Sequence, residues 1–140
     1  MKKFLLALSL LLAFAIIIPT TASVEAANVP NFLQVAGNHV RYTGVENNRK
    51  KNNRWYRYEC SLDLRESFAE QYVNLLRQSG FTLINHEVND WRRLNPPRYL
   101  DKWILRYSGQ QVEIWKYQYF EQGRKSFSIV VPNGLSYGGY

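Results

Sequence analysis

Alternation of apolar and polar positions is the strongest regularity in this chain, and in one stretch it gives way to a helical period. In "HVRYTGVE", Val40 and Tyr42 fall on one side of a strand. "RWYRYEC" places Tyr56, Tyr58 and Cys60 on one face and Trp55, Arg57 and Glu59 on the other. A two-residue period enriched in aromatics predicts strands, and the polar run Asn47 to Asn53 between them predicts a hairpin loop. The same alternation returns in "FTLINHE" (Phe81 to Glu87), "KWILRYSG", "QQVEIWKYQYF" and "SFSIVVP". Trp103, Leu105 and Tyr107 share a face, Val112 and Ile114 oppose Trp115, Tyr117 and Tyr119, and Phe127, Ile129 and Val131 line up together. Pro96 and Pro97 exclude helix and central strand from the long loop before Lys102.

The helical period lies in "SLDLRESFAEQYVNLLRQSGF". Phe68, Tyr72, Leu75 and Leu76 follow i, i+4, i+7, i+8, and Ala69 and Val73 widen the stripe. Asp63 followed by Glu66 resembles a capping box at the start. Gly80 suits the left-handed position past the end, with Phe81 folding back on Leu76 as in a Schellman motif. "NVPNFLQVAGN" is a weakly patterned lead-in with a short strand near Phe32 to Val35, and the Gly-rich "NGLSYGGY" predicts a mobile tail.

Together these elements predict an α+β fold in the order β-β-α-β-β-β, with one amphipathic helix packed on a mainly antiparallel sheet of about five strands. A single helix covers only one sheet face, so the other is left partly open. The expected boundaries are a leader over residues 1–26, a lead-in over 27–38, one domain over 39–132 and a tail over 133–140.

The leader sets the compartment. Lys2 and Lys3 precede the apolar run Phe4 to Ile18, and Pro19 and small residues follow, the layout of a secretory signal peptide cut after Ala26. The run is shorter than the about 20 residues needed to span a bilayer. The expected product is therefore secreted or periplasmic, and it carries a net charge of +6 against +7 for the whole chain. Cys60 is the only cysteine, so no intramolecular disulfide forms and the fold depends on its apolar core.

Charge and aromatic content supply the candidate chemistry. Arg49, Lys50, Lys51 and Arg54 gather at the hairpin loop with Arg57 close behind, a focus of positive charge that attracts polyanions. Export makes intracellular nucleic acid an unfavoured ligand and points to an anionic envelope polymer or lipid headgroups. A hairpin tip must be polar in any case, and charge there also deters edge aggregation. The second candidate is the row Trp115, Tyr117 and Tyr119, which offers a surface for a glycan or protein partner if it faces solvent and is core if it faces the helix. Catalysis is poorly supported. The two histidines, His39 and His86, are far apart, no Gly-x-Ser-x-Gly elbow or phosphate-cradling loop occurs, and no spaced pair of metal ligands appears. No cofactor or metal is implied, and the reading is a non-catalytic binding module.

Overall fold

The computed structural model describes residues 28–138, so the leader expected over residues 1–26 and the last two residues lie outside the described part. Six strands form the main sheet: β2 (Arg41–Asn48), β3 (Asn53–Ser61), β4 (Thr82–Trp91), β5 (Arg98–Tyr107), β6 (Gln110–Tyr119) and β7 (Arg124–Pro132). Their spatial order is β2-β3-β7-β6-β5-β4, every neighbour antiparallel. β4 to β7 run as a meander, since strand structure extends into the long loop expected before Lys102 and leaves only 92–97 as the connection, with shorter turns at 108–109 and 120–123, and the β2–β3 hairpin adds to β7. The helix α2 (Phe68–Gln78) carries the chain from β3 to the far edge at β4 across one face. The α+β expectation stands, but the sheet is larger than the about five strands expected. All four alternating segments after the helix enter it, where the expected order allowed for three.

The helix buries the stripe its period predicts: Phe68, Ala69, Tyr72, Val73 and Leu76. They meet the inward residues of the sheet, among them Tyr56, Tyr58, Trp103, Leu105, Val112, Ile114, Phe127, Ile129 and Val131. The Schellman end forms as expected. Gly80 takes φ 100°, its N–H donates to the Arg77 carbonyl and the Phe81 N–H donates to that of Leu76. The Asp63–Glu66 capping box does not form. The helix begins at Phe68 with Ser67 in the capping position and no side-chain cap, while Asp63 sits in a turn where its own N–H donates to the Ser61 hydroxyl.

The two chain ends differ from expectation together. In place of a short strand near Phe32 to Val35, α1 (Leu33–Ala36) forms a single helical turn. Ahead of it, β1 (Asn28–Val29) pairs in parallel with β8 (Ser136–Tyr137), so the segment expected to be mobile is docked as far as Gly138. Phe32 explains why. Its ring is fully buried and lies 5.1 Å from Tyr58, 5.4 Å from Tyr72 and 5.1 Å from Phe127, plugging the gap between helix and sheet. The Tyr137 hydroxyl accepts the Phe32 N–H at 2.8 Å and shares a 2.7 Å hydrogen bond with the Tyr58 hydroxyl. Aromatic burial of this size outweighs the freedom that glycine-rich ends retain.

Candidate functional site: the open face of the sheet

Residues paired across neighbouring strands share a sheet face, so the register assigns both faces. One row runs His86, Trp103, Ile114, Ile129, Tyr56 and Val45, on the side that α2 covers. The opposite side contains the row Glu87, Lys102, Trp115, Ser128 and Arg57, and the row Asn89, Leu100, Tyr117, Ser126 and Glu59. Trp115, Tyr117 and Tyr119 therefore point away from the helix, while Val112 and Ile114 are the fully buried residues of that strand. The core alternative for the aromatic row is excluded by this geometry.

The open face has a small apolar floor of its own. Leu100 and Val130 are 2% and 1% exposed yet belong to no part of the helix-side cluster. Above them stand the aromatic rings. Trp55 on β3 and Trp115 on β6 approach to 5.0 Å between centroids, across β7. They meet because the β7 residue opposite Trp115 is Ser128, too short to hold the rings apart, with Val130 opposite Trp55 in the floor beneath them. Trp115 and Tyr117 are 6.2 Å apart, and Tyr117 and Tyr119 stack at 5.6 Å with 20° between planes. Rings stacked in this way cover each other's faces, so edges and hydroxyls are what they offer a ligand.

Cations close the ends and sides of this row. The Lys102 ammonium lies 4.6 Å from the Trp115 ring centre, the Arg124 guanidinium 4.2 Å from Tyr119 and the Arg57 guanidinium 5.9 Å from Trp55. Each is also near a carboxylate: Lys102 lies 3.3 Å from Glu113, Arg57 2.7 Å from Glu46 and Arg124 3.8 Å from Glu59. Trp115 donates its indole N–H to Glu113 at 3.1 Å. Partial burial pushes the Tyr117 phenol up from its ordinary value, with Tyr119 adding to the effect, so it stays a neutral donor at physiological pH. A recess of about 150 Å³ bounded by Glu46, Asn48, Trp55 and Arg57 continues the face toward the hairpin tip.

The five basic residues singled out at the hairpin are not one cluster. Arg49, Lys50 and Lys51 occupy the exposed turn, and none of the ion pairs among the described residues includes them. Arg57 joins the open face beside Trp55. Arg54, three positions before it, emerges on the helix side, where it donates to the Leu135 carbonyl at 2.6 Å and lies 5.6 Å from the Tyr56 ring centre. Its role there is to hold the C-terminal segment. Alternation along the strand contained this split, since an odd separation reverses the face.

Two other arrangements bear on catalysis. His86 Nε2 is 3.0 Å from Asp101 and its ring stacks on Trp103 at 4.5 Å, with His86 on the edge strand β4 and Asp101 on β5. His39 and Cys60 line one recess, where burial pushes the thiol up from its ordinary value and so away from the thiolate a nucleophile needs. No group of three or more metal-ligating side chains occurs among the described residues. Nor does any described helix have the length and apolar character needed to cross a membrane. Comparison with known proteins gives no match to a family model, a curated sequence or a solved structure.

Proposed function

We propose that this chain is an exported, non-catalytic binding protein that holds an anionic polysaccharide of a cell envelope or its surroundings on the open face of its sheet. The observation that carries the reading is the row Trp55, Trp115, Tyr117 and Tyr119, turned away from the helix and bordered by Arg57, Lys102 and Arg124. Ring edges give apolar contact to sugar rings, the phenol hydroxyls of Tyr117 and Tyr119 offer hydrogen bonds, and the guanidinium groups match carboxylate or sulfate geometry. Arg49, Lys50 and Lys51, at the end of the same hairpin, draw the polymer in by long-range attraction. The alternating charges around the rings favour a polyanion that also presents hydroxyls over one that presents charge alone.

The leader over residues 1–26 supports this compartment, since removal after Ala26 delivers a basic globule to the far side of a membrane. A protein partner on the aromatic face is the second reading, favoured by the aromatic and arginine content typical of interface centres.

Retention on an immobilised anionic polysaccharide tests the proposal, with a neutral glucan and anionic lipid vesicles as comparisons. The unaltered chain should be retained on the anionic polymer, less so as salt rises, and weakly on the neutral glucan. Trp115→Ala should lower affinity at least tenfold with an unchanged circular dichroism spectrum. Stronger capture by vesicles than by polymer, or retention untouched by Trp115→Ala, would reject the reading.

A further inference from the structure

The two edges of the sheet are guarded very differently. β2 ends in the basic turn Arg49 to Lys51, starts at Arg41 and is bent by a bulge between Tyr42 and Gly44. These features deter pairing with another strand. β4, "TLINHEVNDW", has ten residues without a lysine, arginine or proline, and its only bulge lies near the start, between Leu83 and Asn85. Nothing among the described residues pairs with its outer side. Ile84 and Val88 stand on it 50% and 49% exposed.

From this edge we infer that a second copy of the chain pairs with β4, antiparallel and about a two-fold axis at Val88, to give one continuous sheet of two protomers. The register argument selects the partner. In a symmetric antiparallel pair, opposed residues must share a face, which places the axis on a residue. An axis at Glu87 sets two carboxylates face to face, and one at His86 opposes two imidazoles and runs the bulge into the ladder at both ends. An axis at Asn89 opposes Glu87 to Trp91 and Val88 to Asp90. With the axis at Val88, the two valines cover each other and His86 of each copy faces Asp90 of the other. Glu87 then faces Asn89, and Asn85 faces Trp91. The ladder from Asn85 to Trp91 leaves the bulge outside.

Arg92 sits on Asp90 within its own chain, at 2.5 Å and 2.8 Å, and His86 is held by Asp101. His86 and Asp90, which face each other two positions from the axis, each therefore already have a partner in their own chain that orients them. A two-fold axis normal to the sheet keeps both α2 helices on one side and both aromatic rows on the other. The two faces could then engage one polymer together, and linked sites bind more tightly than either alone.

Sedimentation equilibrium of the full chain should return twice the protomer mass across a concentration series. Val88→Lys puts two like charges at the axis and should weaken association at least tenfold, while Val45→Lys on the guarded edge leaves it unchanged. Should Val88→Lys disturb folding, cysteine crosslinking decides the matter. Directly opposed residues have Cα atoms about 4.5–5.5 Å apart, within disulfide reach. Val88→Cys in a Cys60→Ser background should therefore oxidise readily to a covalent dimer, and Asn89→Cys should not. A protomer mass at every concentration overturns the inference, as does a dimer that Val88→Cys fails to crosslink. Neither result touches the polysaccharide reading, which a lone protomer satisfies.

Discussion

Arg54 and Arg57 look alike in the sequence and do opposite things in the fold. One ties down the chain end at Leu135, and the other borders the open face beside Trp55. Ser128 matters in the other direction. It is 5% exposed and small, and its lack of bulk is what lets the two tryptophans meet above β7. The Asp90 carboxyl titrates at this scale through a purely local contact. Hydrogen bonds from the Arg92 side chain and backbone hold its carboxyl at about 2. The depressed value means that the folded chain favours the ionised form. Any contribution to stability is present above the ordinary carboxylate value of about 3.9 and is lost as pH falls through about 2. NMR titration of the Asp90 carboxyl should give that low value, and Arg92→Gln, which removes the side-chain hydrogen bond but keeps the backbone one, should raise it part of the way toward about 3.9.

Among the elements, α2 and the end strands make the sharpest contrast. The helix is specified locally, by its apolar stripe and by Gly80, whose positive φ any other residue would adopt at a cost. β1 and β8 contain two residues each and have no local signal. They exist because Phe32 and Tyr137 are buried and hydrogen-bonded to each other across 105 residues of sequence. Tyr137→Phe keeps the ring and removes the hydroxyl that accepts the Phe32 N–H. The loss of a buried partner should lower stability by about 1–3 kcal/mol, read as an earlier urea midpoint with an unchanged slope. A midpoint that does not move would show that the clamp depends on the ring alone.

Across the whole molecule, charge and packing separate cleanly. The core lies between α2 and one face of the sheet, while Arg49, Lys50 and Lys51 sit at an exposed turn that the core never reaches. Replacing these three with serine takes the net charge from +7 to +4 and should change folding stability by no more than about 0.5 kcal/mol. The same triple variant should lose retention on an anionic polymer most at low salt, where attraction at a distance is least screened. Unfolding at a clearly lower urea concentration would instead mean that the tip supports the hairpin.

What the sequence by itself determined was whatever acts over a few neighbouring residues. Alternation marks the hairpin strands and the meander, the helical period marks α2, and the opposition of Val112 and Ile114 to Trp115, Tyr117 and Tyr119 is plain in the pattern alone. Local pattern shows that a strand has two faces and says nothing about which one a helix will cover. The tertiary structure decided that, because α2 can lie on one side only and the larger buried area wins. It also decided the strand order, the approach of Trp55 to Trp115 over Ser128 and the clamp joining the two chain ends. Each of these depends on groups far apart in the chain, brought together by competition for burial in one shared core.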